Sequence, residues 1–414
     1  MIHRELLPNG LRVVVEEIPS MRSVSLGVWV GTGSRFENEK NNGISHFIEH
    51  MFFKGTKNKT ARQLAEVFDS IGGQVNAMTS KEYTCYYARV LDEHFEVALS
   101  TLADMFFQSI FAAEEVEKEK KVVIEEINMY EDTPDELVHD LLSSVVFQGH
   151  SLGYTILGPE ENLKSFTRND ILEYMSNHYT PDNTVIAIAG NVSSKDAIAQ
   201  VLKLFGHFSG KRMIKGGLAQ PVFHVDRVLR QKDTEQAHIC LATKGYPLDD
   251  KHAYPLILLN NALGSSSSSR LFQEIREERG MAYSVYSYHS SYQDIGMFGV
   301  YVGTNPEQMD EVVALTTSIL HDVQTNGIFD EELKKAKDQV KGSLMLSLES
   351  TSSRMSRIGK NELLLQRQIS LDETVEQINA VTPEQIQQVA HELFSQPIAI
   401  TAVGPLQQLP GVKK

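Results

Sequence analysis

The 414-residue chain is 41% hydrophobic, 22% charged and 8% aromatic, values close to those of soluble globular proteins and unlike those of disordered, collagenous or disulfide-stapled chains. At roughly 150 residues per domain, this length predicts two or three domains rather than one small module. Its 39 basic and 54 acidic residues leave a net charge of −15, which repels phosphate backbones and anionic lipid head groups and so disfavours nucleic-acid and membrane partners.

The N-terminal segment MIHRELLPNGLRVVVEE has no basic stretch leading into an apolar run and no Arg/Ser-rich amphipathic leader, and no stretch of the chain approaches 18 consecutive apolar residues. Cys85 and Cys240 lie 155 positions apart without a C-x-x-C spacing, which suits a reducing compartment. Together these features predict a cytoplasmic, bacterial protein. After the Asn9-Gly10 turn signal, LRVVVEEI and SVSLGVWVG read as strands and GISHFIEHMFF as a helix. GGQVNAMTSKEYTCYYARV, alternating, rich in Tyr, Thr and Val and bounded by Gly72 and Gly73, reads as further strand.

From Val97 the chain reads as a helix, a loop carrying a Phe and a second, charge-rich helix, and the same pattern returns from Val313. A helix running into a short strand ends near Gly190 and again near Gly404, 214 positions later and about half the chain. A repeat of this length reads as a duplicated domain, each copy large enough to bury its own core. The Gly-rich, basic stretch GHFSGKRMIKGGLAQP over 206–221 suits a linker, which places the domains at 1–209 and 222–414 with the connection over 210–221. Hairpin signals, alternating strands and interspersed helices predict an α+β fold, each domain a mostly antiparallel sheet with helices on one face. A doubly wound nucleotide-binding sheet is disfavoured: GTGSRF at 31–36 lacks the last glycine of G-x-G-x-x-G.

The chemistry concentrates in H-x-x-E-H. His46, Glu49 and His50 project from one face of the predicted helix, with Ser45 able to cap it. Two imidazoles one turn apart can grip one Zn²⁺, and a carboxylate beside the metal can accept a proton from water. A third protein ligand is required. In the helix of residues 114–132, Glu119 and Glu126 stand at i, i+7 and share a face. A solvated, salt-bridged helix is the plainer reading of such an E/K-rich segment. Against it, alignment of EEV (114–116) with EEL (331–333) puts Ala336 opposite Glu119 and Ser343 opposite Glu126, and the second half carries no H-x-x-E-H. Histidines and carboxylates are lost together, as expected if one copy is catalytic and its duplicate is not.

These residues resemble a family of zinc peptidases that includes pitrilysin, insulin-degrading enzyme and the mitochondrial processing peptidase β subunit, and most closely its short two-domain branch. The resemblance spans nearly the whole chain and is carried by GISHFIEHMFFKGT (43–56), GGQVNAMTSKEYTCYYARV (72–90), EKEKKVVIEEINMYEDTP (117–134) and SSRLFQEIREERGMAYSVYS (268–287). It implies His46, His50 and a glutamate roughly 75 to 77 positions past His50 as ligands of one zinc ion per chain. Glu126 fits that spacing; Glu125 fits it too, and the partnership with Glu119 favours Glu126. Glu49 is then the general base and Glu119 the second carboxylate that orients the ligands.

The resemblance further implies that Arg276 and Tyr283 reach substrate from the second domain, with Arg279 the rival arginine, and that Asn76 and Ala77 lie on an edge strand to which a peptide adds its own backbone. The implied protein is a zinc endopeptidase acting on oligopeptides or unfolded segments in a chamber between two domains, assembled as a homodimer. The alternative is a catalytically silent scaffold that keeps the fold without the activity.

Overall fold

In the computed structural model, which describes residues 2–213, 219–409 and 411, the first half of the chain contributes six strands. They are β1 (Ile2–Leu6), β2 (Arg12–Glu17), β3 (Ser23–Val30), β4 (Gln74–Thr79), β5 (Thr84–Leu91) and β6 (Thr184–Gly190). Among them lie α1 (Ile44–Met51), α2 (Ala61–Ser70), α3 (Phe95–Gln108), α4 (Ala113–Glu131), α5 (Pro134–Val146), α6 (Glu160–Ser165), α7 (Arg168–His178) and α8 (Ser194–Phe205). The second half contributes β7 (Arg227–Gln231), β8 (Ala237–Gly245), β9 (Ala282–Ser291), β10 (Gly296–Thr304) and β11 (Ala399–Gly404), with α9 (Ala253–Gly264), α10 (Met309–Asn326), α11 (Asp330–Ser347), α12 (Thr351–Lys360), α13 (Leu371–Ala380) and α14 (Pro383–Phe394). Residues 214–218 of the expected linker lie outside the described residues.

The first sheet has the order β1-β2-β6-β3-β5-β4 and the second β7-β11-β8-β10-β9. Each holds one parallel pair, β2 with β6 and β7 with β11, among antiparallel ones. β11, β8, β10 and β9 thus repeat the order of β6, β3, β5 and β4. The Asn9-Gly10 signal makes the β1–β2 turn: Gly10 takes φ +90°, and Leu7 and Leu11 are bonded across it at 2.9 Å.

Register sorts the side chains of the first sheet onto two faces, because strand neighbours alternate. Val28 stands opposite Tyr86 and Ile186, and all three are buried in the main core with α1, α3 and α8. Trp29, one residue on, stands opposite Cys85 and Val185 and faces the other way. That reverse face is covered by α12 of the second half, whose Met355 and Ile358 are buried against it, with Leu363 just beyond the helix. Ser25 Oγ meets Thr351 Oγ1 at 2.9 Å, the Trp29 indole donates to Met355 Sδ at 3.3 Å, and buried Glu362 takes the Arg4 fork at 2.7 and 3.0 Å.

The exchange is mutual. α5 of the first half packs on β8 and β11 in the second sheet, with Leu137, Val138, Leu142 and Val146 in its core. The two compact units are accordingly Met1–Ile127 with Tyr154–Leu218 and Leu346–Gln368, and Asn128–Gly153 with Ala219–Met345 and Ile369–Lys414. These units differ from the contiguous division at 210–221 expected from sequence in two segments, 128–153 and 346–368. An amphipathic helix records that one of its faces is covered, but not which sheet covers it.

Candidate metal centre

α1 is the element that aims the H-x-x-E-H residues. Ile44, Phe47, Ile48 and Met51 are buried beneath it, so the opposite side of the turn carries His46, Glu49 and His50. The expected Ser45 cap is not what starts the helix. Gly43 occupies the cap position at φ +99° without a side-chain bond, and a Cβ there would lie 2.4 Å from the Leu157 carbonyl oxygen. Buried Glu37 supplies the acceptor from outside, taking the backbone N–H groups of Gly43 and Ser45 at 2.8 Å each and the Asn42 amide at 2.9 Å. A carboxylate at this end opposes the positive end of the helix dipole. The Ser45 hydroxyl instead meets that of Tyr174 at 2.9 Å.

α4 supplies the carboxylates. Its inward stripe runs Val116, Glu119, Lys120 and Val123, and one further turn brings Glu126 to the same side. Glu126 Oε2 lies 3.7 Å from His46 Nε2 and 3.5 Å from His50 Nε2. Among the described residues these three form the only His/Cys/Asp/Glu cluster able to converge on one ion, their donor atoms all within 4.8 Å of one another. Two imidazole nitrogens and a carboxylate oxygen are zinc-type donors. Zinc bonds of 2.0–2.2 Å at tetrahedral angles place ligand atoms about 3.4 Å apart, close to the two separations above, so the trio fits such an ion. Glu125, the rival from spacing, is absent from the cluster.

Around the trio, Glu119 Oε1 bonds His50 Nδ1 at 2.8 Å and Glu119 Oε2 pairs with Lys54 Nζ at 2.6 Å. The hydroxyl of Thr79, the last residue of β4, donates to Glu49 Oε2. Burial, with His50 beside it, pushes the His46 pKa down to about 3, which keeps that ring neutral. On His50 burial opposes the charge, but the Glu119 bond and the Glu126 charge overcome it and raise the pKa. Burial raises Glu49 and Glu126 above the ordinary carboxylate range; for Glu119 burial is outweighed by the His50 and Lys54 bonds, which hold it below.

β4 pairs only with β5, so Asn76 and Ala77 do lie on a sheet edge. Asn76 is exposed, and its Oδ1 accepts the Ala77 N–H at 2.8 Å. Within the second unit, Arg276 sits on a π-helical turn, Phe272–Glu277, with its guanidinium carbon 4.7 Å from the Phe272 ring centre and 5.1 Å from that of Tyr283. Tyr283 is 74% exposed. Arg279 is tethered instead, donating to the Glu274 carbonyl at 2.6 Å. Glu37, Lys54 and Thr79 escape the sequence reading because they act through tertiary contacts. Only Lys54 leaves a local trace, at i+4 from His50.

An α+β chain with two sheets of matching strand order and, among the described residues, one three-donor cluster fits a class of duplicated proteins with donors for a single metal ion. Family models narrow it: residues 12–160 match "Insulinase (Peptidase family M16)" and residues 165–340 match "Peptidase M16 inactive domain". The chain belongs to the M16 peptidase family, in its short two-domain branch. It is 54% identical to "Uncharacterized zinc protease YmxG" of Bacillus subtilis, over 99% of this chain and 100% of that one. It is 36% identical to "Probable mitochondrial-processing peptidase subunit beta" of Arabidopsis thaliana, over 99% of this chain and 79% of that one. A protease from Helicobacter pylori has the same fold, with a TM-score of 0.90 at 23% identity over 98% and 99% of the two chains. Among the described residues no helix is long and apolar enough to cross a membrane.

Proposed function

We propose that this chain is a zinc endopeptidase in which His46 Nε2, His50 Nε2 and Glu126 hold one metal ion and Glu49 is the general base. The observation that carries the reading is the convergence of those three donor atoms within 4.8 Å, with Glu49 on the same turn of α1. A zinc ion held there supplies Lewis acidity and brings a bound water to a pKa of about 7.

The chain's own residues do the rest. Thr79 fixes Glu49 Oε2, leaving Oε1 to take the proton of the attacking water and pass it to the departing amine. Burial lifts the Glu49 pKa toward the range in which a carboxylate can both accept and return a proton, although the Thr79 bond opposes the rise. Glu119 holds His50 by Nδ1 so that Nε2 carries the free lone pair. The open edge at Asn76 and Ala77 suits an extended peptide recognised through its backbone, which favours oligopeptides and unfolded segments. Arg276 grips a substrate carbonyl or carboxylate, and the Tyr283 hydroxyl donates to the carbonyl oxygen as negative charge develops on it. One zinc per chain and a homodimer, which rest on the family resemblance, and a cytoplasmic setting, which rests on the two widely separated cysteines, complete the proposal.

Metal analysis of the purified chain with digestion of a mixed peptide library tests the reading. One zinc per chain and peptide cleavage are expected, both lost in His50→Ala. A wild-type chain with neither overturns it.

A further inference from the structure

Lys54 is one turn past His50, where α1 has ended and the chain reverses. Its backbone N–H bonds the Met51 carbonyl at 3.2 Å, and Gly55 follows at φ +110°. The turn is pinned on both sides. Before it, Phe52 is 1% exposed and packs its ring 4.5 Å from Tyr86 and 5.8 Å from Phe111. After it, Gly55 and Lys57 bond the backbones of Ile110 and Gln108 at 3.3 and 2.9 Å. The lysine is therefore delivered to one place, with Nζ 2.6 Å from Glu119 Oε2, and its side chain is 29% exposed against 5% for Glu119.

We propose that Lys54 is a positioning residue for the metal centre, holding one oxygen of Glu119 so that the other stays on His50 Nδ1 and His50 Nε2 stays turned to the ion. This inference rests on the metal-centre reading above. The terminal torsion of a glutamate is broad and roughly two-fold, so a carboxylate held at one oxygen can rotate about that bond. Glu119 is held at both, at 2.8 Å by His50 and at 2.6 Å by Lys54. Without the ammonium, Oε2 would be buried with no donor, and Glu119 would recover solvation only by turning away from the imidazole. His50 would then lose the bond that keeps its proton on Nδ1, and the Nε2 lone pair would be free only part of the time.

The test uses the full-length chain as wild type, Lys54→Met, Lys54→Arg, Glu119→Gln and the Lys54→Met/Glu119→Gln double variant, with exposed Lys57→Met as control. Zinc affinity is read by competition with a chromophoric chelator, and thermal unfolding verifies that each variant is folded. Lys54→Met should bind zinc about 10- to 100-fold more weakly, the range of outer-shell losses. Lys54→Arg, which keeps the charge, should recover most of the affinity. Adding Lys54→Met to Glu119→Gln should cost nothing further, because the lysine acts through that carboxylate. Wild-type affinity in Lys54→Met, or a full additive loss in the double variant, overturns the proposal.

A second readout does not depend on the metal. In metal-free protein at alkaline pH, imidazole ¹⁵N shifts should report His50 as the Nδ1–H tautomer in wild type and as a tautomer mixture in Lys54→Met or, should that variant not fold, in Lys54→Gln. Unchanged shifts overturn the role of Lys54. A wild type that binds no zinc, yet shows the expected tautomer change, overturns the metal-centre reading alone.

Discussion

In the first unit His46 and His50 face the carboxylates of Glu126 and Glu119, whereas in the second His139 and His238 face tyrosine hydroxyls. His139 meets Tyr288 at 3.0 Å and Tyr286 at 2.9 Å, and His238 meets Tyr301 at 2.9 Å. α4 and α11 occupy matching places in the chain, but the buried position that carries Glu119 in one carries Ala336 in the other. α9 follows β8 as α1 follows β3, and it buries Leu256, Leu258, Leu259 and Leu263 without a histidine on it. One architecture thus serves two ends. Imidazoles beside anions suit the proposed cation site, and imidazoles beside neutral hydroxyls make a polar cluster in which burial disfavours the charged rings.

The largest expected effect comes from separating the halves at the apparent linker. A fragment of residues 1–210 keeps every proposed zinc ligand but loses the 346–368 segment, which buries Met355, Ile358 and Leu363 on the reverse of the first sheet. At about 1.5–3 kcal/mol per buried aliphatic side chain, the three together contribute roughly 5–9 kcal/mol as an upper estimate, comparable with the whole stability of many domains. The fragment should lack a cooperative thermal transition and bind no zinc, whereas the same fragment with 346–368 joined to it and α5 removed should recover both. Circular dichroism and metal analysis check this, and a well-folded 1–210 would deny that the exchange matters.

Next in size is the contrast between neighbouring carboxylates. Glu126→Gln should lower zinc affinity by at least about 100-fold, as loss of a direct ligand exceeds the 10- to 100-fold of an outer-shell loss, while Glu125→Gln should leave it near wild type. Equal losses would mean that the inward face of α4 is set differently. For the second unit, Tyr283→Phe should lower kcat about 10²- to 10³-fold, the cost of one oxyanion donor, with zinc content unchanged. Wild-type kcat would remove the tyrosine from the chemistry.

The smallest effect concerns stability and pH. Burial pushes the His139 pKa down to about 4 from 6.5, so between those values the unfolded chain binds the proton more readily than the folded one. Its neutral form therefore stabilises the fold fully above about pH 6.5, and that contribution falls away as pH drops toward 4. Denaturant titrations across this window should show a shallower acid loss in His139→Gln, and an unchanged slope would assign the acid sensitivity elsewhere.

Much of this comparison was legible in the sequence because it is local. H-x-x-E-H fixes its own geometry within two helical turns, and the duplication exposed Glu119 and Glu126 by what stands opposite them, Ala336 and Ser343. The α+β alternation followed from turn signals and period, whereas the edge position of Asn76 and Ala77 was expected only from the family resemblance. What was not legible is held by distant partners. Thr351, Met355 and Ile358 read as an amphipathic face whichever sheet receives them, and Glu37 reads as a surface acid until the fold lays it on the start of α1. Lys54 likewise reads as an ordinary lysine until α4 brings Glu119 to it.

The central claim is that Glu49 moves the proton while His46, His50 and Glu126 hold the metal, and Glu49→Gln tests it most directly. An amide cannot accept the proton, yet no proposed ligand is touched. The account predicts one zinc per chain, as in wild type, with hydrolysis of a quenched peptide lowered at least about 10²- to 10⁴-fold. Retained turnover, or zinc loss equal to that of His50→Ala, would contradict it.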